Sequence, residues 1–476
     1  MKIFRSILLV LFWLGIITHQ VIADQAPHQG AFVEGYFHRL SYLPGEVAEL
    51  HLSSSAQAVS IVVERIGAKN DVVYQQASIS STVQKIPDRA SSDGCKWAVG
   101  HKFPIGEQWK SGYYQATLTT LGDEQKKPST SKLFFVVRSA TPGQQTKILL
   151  QLSANTYNAY TNWGGHSLYS YHDRDGVQGH RVSFDRPLSS QFFNWEVHFV
   201  KWAELNGYRL DYAVNSDLEF HPEILDHYNL VLSIGHDEYW STPMRDNLEA
   251  YIAKGGNVAF FSGNTCCWQV RSEDKGRALT CWKQGYVFDP MFRTTDHKLL
   301  STAWGHHLVQ RPENELTGVG FLWGGYHKSH GQFMDGSGAY TVHRPEHWVF
   351  AQTNLKRDNQ FGSKDTIVGY ECDGCEMSWK DGLPFPTHKD GTPEGFTILG
   401  TCPARWAPGD SYWYDRFPKD RIGAAVMGLY TKGGTVFTAG STDWAHGLRG
   451  NDPSVTQITK NILDRLSMSR GQAAEE

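Results

Sequence analysis

Leu230-Val231-Leu232-Ser233-Ile234 runs directly into Gly235-His236-Asp237-Glu238-Tyr239-Trp240, and this junction constrains the chain more than any other segment. The apolar run is short and β-branched, which reads as a buried strand. Thr242-Pro243 then opens an amphipathic segment through Tyr251-Ile252-Ala253 that stops at Gly255-Gly256, the pattern of a helix. Val258-Ala259-Phe260-Phe261 follows as another strand. A strand, helix and strand in this order predict a parallel sheet with helices packed on it. They also set a histidine and an acid at a strand's carboxyl end, where open α/β sheets place their ligands. The competing reading is a polar turn that only caps the next helix.

The alternation extends in both directions. Lys147–Leu152 is strand-like, Trp195–Gly207 reads as a helix with a glycine stop, and Leu210–Val214 reads as the next strand. Gly433–Gly440 resembles a late buried strand returning to the sheet. A doubly wound, mostly parallel α/β domain is therefore expected over residues 144–470. Residues from about 270 to 425 are rich in Gly, Pro, Trp and His and yield only turns and short strands. Residues 24–143 read differently. Glu46–Leu52, Val59–Arg65, Tyr113–Leu118 and Leu133–Val137 are short alternating or β-branched runs, broken at Pro44-Gly45, Gly67 and Gly122-Asp123. An immunoglobulin-like β-sandwich is expected there, with Thr141-Pro142-Gly143 as the linker.

Residues 1–23 have the form of a signal peptide. Lys2 and Arg5 precede an apolar stretch from Ile7 to Ile17, and Val21-Ile22-Ala23 supplies small residues for cleavage. The stretch is shorter than the roughly 20 residues of a spanning helix. A periplasmic or secreted chain without a membrane span is expected. With 45 Lys and Arg against 49 Asp and Glu the net charge is −4, and no basic block stands out. Nucleic acid is excluded as a partner on that ground. Seven cysteines in an oxidising compartment imply disulfide bonds with a thiol left over. Cys372-Asp373-Gly374-Cys375 is a possible tight local loop, and the adjacent pair Cys266-Cys267 favours partners elsewhere, such as Cys281 or Cys402.

Three polar segments follow strands of the expected sheet. Asn155–Gly165 is a run dense in Tyr, Asn and Trp, though any one tyrosine is more often packing than a ligand. The second is His236 with Glu238. The third is Ser262-Gly263-Asn264, where Asn264 is able to donate to a developing oxyanion; its plain reading is a turn asparagine. A fourth place, Gly369-Tyr370-Glu371, sets a carboxylate after Ile367-Val368, where it is either a general base or a partnered structural acid. No GxSxG elbow, phosphate-binding loop or dinucleotide fingerprint is present.

Asn155–Tyr169, Gly235–Trp240, Phe261–Asn264 and Gly369–Glu371, in this order, resemble the C-terminal region of the N,N-dimethylformamidase large (beta) subunit family. The likeness runs from Ser111-Gly112-Tyr113-Tyr114 to Gly440–Trp444. It implies a glutamine-amidotransferase-like α/β sheet and hydrolysis of a small-molecule amide at one Fe³⁺ held by two tyrosines and a glutamate. By position the ligands would be Glu238, Tyr157 and Tyr114, with Tyr113 as the rival to Tyr114. His236, Asn264 and Glu371 would be the catalytic residues. Two phenolates and a carboxylate are hard oxygen donors that balance the charge of Fe³⁺. The sequence departs from the family in lacking the lectin-like region before the sandwich, in its signal peptide, and in the Cys372 and Cys375 pair beside Glu371. These departures leave open the substrate, a homo-oligomer, and the small partner subunit. The rival function is a non-catalytic ligand- or carbohydrate-binding protein on the same scaffold. A sugar-modifying enzyme is a third reading, by fold analogy alone.

Overall fold

The computed structural model describes residues 30–122, 127–170, 174–329, 332–406 and 421–468. The leader read at residues 1–23 lies outside them. The chain is α/β, with many strands and few helices. No helix among the described residues is long and apolar enough to cross a membrane.

Two sheets form the N-terminal part. Val33–Phe37, Val47–Ser54 and Val99–Pro104 make a three-stranded sheet. Ser41–Tyr42, Thr130–Val137, Gly112–Leu121, Ala58–Ile66 and Asp71–Ser80 make a five-stranded one. Alternation decides what each strand buries. Tyr114, Ala116 and Leu118 join Leu50, Leu52, Val59, Ile61 and Phe135 in a core between these sheets. Tyr113, Phe134 and Val136 point the other way, into the core of the second half of the chain. The five-stranded sheet is thus apolar on both faces in its central strands, and its outer face is where the two halves meet.

The second half is built on a nine-stranded sheet. Asp211–Val214, Ile148–Leu152, Leu230–His236, Asn257–Gly263 and Gly434–Thr438 run parallel, in that spatial order. Ile422–Lys432, Thr397–Arg405, Tyr340–Val342 and Gln360–Phe361 continue it antiparallel. The sheet is therefore mixed, and the expectation of a mostly parallel sheet holds only for its first part. The reason is the connections. Helical crossovers link the early strands, whereas Gly433 alone turns Ile422–Lys432 into Gly434–Thr438, and a tight turn permits only antiparallel pairing. Leu230, Leu232 and Ile234 face one apolar core, shared with Glu196–Leu205 and Pro453–Ser467. Val231, with Leu149, Val258 and Phe260 of the adjacent strands, faces a second, under Thr242–Ala253. Helices thus cover both faces.

All seven cysteines are buried and unbridged, against the expectation of disulfides. Cys372 packs in one core and Cys375 in the other, so the short loop between them points the two thiols to opposite sides of the sheet. Cys266 and Cys267 likewise separate into different clusters.

Candidate active site

The chain leaves Ile148–Leu152 for Asp211–Val214 on one side and Leu230–His236 on the other, so the strand order reverses there. A crevice at the carboxyl ends follows from that reversal. The Asn155–Gly165 run begins as the short helix Ala154–Tyr160. Thr156 Oγ1 accepts the Glu238 backbone amide at 2.9 Å, and Asn155 Nδ2 donates to the Tyr239 carbonyl at 3.1 Å. The helix thereby fixes the loop after the next strand. Gly235 has φ +77°, and a Cβ there would meet the Trp195 Cβ at 2.4 Å. Only glycine permits this turn.

His236, Glu238, Asn264 and Glu371 come together. His236 Nε2 lies 2.7 Å from Glu371 Oε2 and 3.3 Å from Glu238 Oε2. Asn264 Nδ2 donates to the same Glu371 oxygen at 3.2 Å. Glu371 reaches this point because Gly263 has no side chain: a Cβ there would lie 2.5 Å from the Glu371 carbonyl oxygen. All four residues are buried. Burial pulls the His236 imidazolium down, but Glu371 and Glu238 together outweigh it and raise it to about 10. His236 is therefore a cation and a donor at neutral pH, which suits stabilising negative charge and not taking up a proton.

Glu238 is surrounded by donors that sequence reading did not single out. Tyr169 Oη donates to its two oxygens at 2.8 and 2.9 Å, and Trp268 Nε1 to Oε1 at 2.6 Å. Tyr160 and Tyr239 hydroxyls lie 2.7 and 2.8 Å from that of Tyr169. Lys283 is fully buried, its Nζ 3.1 Å from the Tyr169 ring centroid. Burial would push the Glu238 carboxyl up, yet His236, Lys283 and Tyr169 bring it below the usual range. The lysine in turn is lowered to about 8, burial outweighing Glu238. Tyr160 and Tyr169 stand inside the motif quoted above and were legible as a group. Lys283 and Trp268 carry no local signal.

Tyr114 and Tyr157 are not among these partners. Tyr114 lies in the core between the two N-terminal sheets, stacked on Trp109 at 5.1 Å and Phe135 at 5.5 Å. Its hydroxyl donates to the Lys110 carbonyl at 2.6 Å, a tyrosine-corner type of contact. The assignment of Tyr114 as an ion ligand is corrected on this geometry, because strand alternation turns it away from the sheet that carries Glu238. Tyr113 does face that half, but it stacks on Phe192 at 3.9 Å and donates to Ser190 Oγ at 2.9 Å. Tyr157 donates its hydroxyl to Glu196, and burial with that acid holds it as a neutral phenol. Among the described residues no group of three or more His, Cys, Asp and Glu is disposed to hold a metal. An ion at Glu238 would therefore draw on phenol oxygens, and Tyr169 and Tyr160 are the ones at hand.

The mixed α/β sheet thus defines a protein with a buried polar centre, in which His236 and Asn264, at the carboxyl ends of parallel strands, meet Glu371. The chain belongs to the N,N-dimethylformamidase beta subunit-like family, whose C-terminal model matches residues 60–457. The N,N-dimethylformamidase beta subunits of an Alcaligenes species and of Paracoccus aminophilus are each 24% identical to it. Each match covers 79% of this chain and 55% of the relative, so the chain spans about half the length of these curated relatives. Among solved structures, the sporulation control protein Spo0M of Bacillus subtilis matches at TM-score 0.18 with 11% identity, over 24% of this chain and 51% of that one. A family 123 glycoside hydrolase from Clostridium perfringens matches at 0.13 with 10% identity, over 52% and 51%. Likeness at these scores carries no argument.

Proposed function

We propose that the chain is a hydrolase of a carboxamide C–N bond. The observation that carries this reading is the buried relay in which His236 and Asn264 both address one oxygen of Glu371. Family membership supports the reaction class. In the proposed reaction a water oxygen bonds to the amide carbonyl carbon and its proton passes to Glu371. His236, as a cation, stabilises the negative charge that forms on the carbonyl oxygen. The C–N bond then breaks, and the amine leaves with the proton held by Glu371.

The donor set around Glu238 fits a hard trivalent cation such as Fe³⁺: one carboxylate with the two phenols of Tyr169 and Tyr160 supplies oxygen ligands only. Bound there, the ion would supply Lewis acidity toward a carbonyl oxygen. Trp268 and Lys283 would hold the Glu238 carboxylate in place and ionised. The leader-like residues 1–23 support export to the periplasm or beyond. The relatives' designation as beta subunits supports a second chain in the working assembly. The test is release of amine from a panel of small formamides, acetamides and amidated sugars. Turnover of one class by the wild type, abolished in Glu371→Gln, is the expected result; silence across the panel by iron-loaded protein overturns the reading.

A further inference from the structure

Asp443 occupies the N-cap of the helix Trp444–Arg449, where an aspartate ordinarily accepts the first free amides of the helix. Among the described residues its side chain makes no such bond. The carboxylate is spent elsewhere. Oδ1 accepts from Trp195 Nε1 at 2.8 Å and from Thr442 Oγ1 at 3.0 Å, and Oδ2 accepts the Tyr370 backbone amide at 2.9 Å. Gly369 admits this approach, because a Cβ there would collide with Oδ2.

Each of these partners adjoins the His236 and Glu371 pair. Trp195 packs against Gly235, which has no room for a Cβ, and its ring lies 5.6 Å from that of His236. Tyr370 immediately precedes Glu371, and its ring lies 5.8 Å from that of His236. Thr442 fixes the Glu371 backbone in both directions: its amide donates to the Glu371 carbonyl at 3.1 Å, and its Oγ1 accepts the Glu371 amide at 3.3 Å. One carboxylate thus ties the segment behind His236 to the segment that carries Glu371. We propose, resting on the amide hydrolase reading, that Asp443 is a positioning residue for this pair. It holds the Glu371 carboxylate against His236 and in reach of the attacking water, and it does so by accepting on both oxygens. An amide at this position offers an acceptor at one end only.

The test uses that demand for two acceptors. Asp443→Asn must set an NH₂ group against either the Trp195 indole N–H or the Tyr370 amide. In full-length, iron-loaded protein, with the amide of the panel that the wild type turns over fastest, it should lower kcat by roughly 10–100-fold. KM and iron content should stay close to those of the wild type. Trp195→Phe removes the indole donor and keeps a ring against Gly235, and should cost less than about tenfold in kcat. The double variant lets the NH₂ face the donor-free ring while the amide oxygen accepts from Tyr370. Its kcat should therefore recover to the Trp195→Phe level, whereas a merely structural role predicts a double variant worse than either single one. No recovery, or an unchanged kcat in folded Asp443→Asn, overturns the proposal and leaves the hydrolase reading standing. Absence of amine release by the wild type across the panel overturns both. Should Asp443→Asn not fold, a double variant that folds with the kcat of Trp195→Phe upholds the proposal, and one that also fails to fold overturns it.

Discussion

Asp373 accepts the backbone amides of Asn264 and Thr265, one on each carboxyl oxygen, both at 3.0 Å. Two residues earlier in the same segment stands Glu371, which accepts from the Asn264 side chain. One short stretch of chain thus grips Asn264 by its backbone and its side chain together. Asp373→Asn places an NH₂ group against a backbone N–H and should destabilise the fold by about 1–3 kcal/mol. Combined with Asn264→Ala, its effect on kcat/KM should be markedly less than the sum of the two single effects, measured as a double-mutant cycle. Full additivity would show that Asp373 does not act through Asn264.

Glu371→Gln keeps the side-chain volume but removes the proton acceptor. It should retain fold and metal while losing about 10²–10⁴-fold in amide turnover. Retained turnover would assign the base elsewhere.

Protein purified without chelators should carry about one iron per chain with a visible phenolate-to-iron band. Tyr169→Phe and Glu238→Ala should each lose both. Tyr114→Phe should keep the iron and the band, and lose about 1 kcal/mol of stability through its bond to the Lys110 carbonyl. Iron loss in Tyr114→Phe, with Tyr169→Phe unaffected, would reverse the assignment.

Glu313 is buried far from water, and burial raises its carboxyl from the usual 4.5 to about 7. The folded chain therefore holds this proton more tightly than the unfolded chain does. The resulting stability is complete below about pH 4.5 and is lost as the pH rises through about 7. Glu196 is raised to about 7 in the same direction, by burial. The melting temperature should fall between about pH 4.5 and 7, and Glu313→Gln should flatten part of that fall. An identical pH profile in the variant would contradict the shift.

The seven thiols are all buried and unbridged. A thiol reagent should find seven per chain in denaturant without reductant, and none quickly in the native state. A count of five or fewer in denaturant would reveal a disulfide.

Short continuous apolar runs separated by an amphipathic helix were legible in the sequence. Leu230–Ile234, Val258–Phe261 and the helix through Ala253 fall where their patterns put them. The antiparallel strands Thr397–Arg405 and Ile422–Lys432 escaped, because glycine and proline interrupt them and their apolar residues divide between the cores on both faces of the sheet. At the site, His236, Glu238, Asn264 and Glu371 carried a motif and converge. The tyrosines did not follow position alone, since neighbours such as Tyr113 and Tyr114 differ only in which face of a strand they occupy. Lys283 enters from a stretch without periodicity, and only the folded chain brings its ammonium over Tyr169.

The strand Gly434–Thr438 lies between Asn257–Gly263 and Ile422–Lys432, joining the parallel and antiparallel parts of the large sheet. It is also, among the described residues, the last strand to be made. Until a ribosome has passed residue 438, both parts carry an open edge, and such edges invite pairing with other chains. The sheet therefore is joined only after residue 438 has been made, across sequence separations that make the joining slow. A chain cut short before Gly434 would keep every residue of the His236, Asn264 and Glu371 relay and still lack the keystone that holds the sheet beneath it.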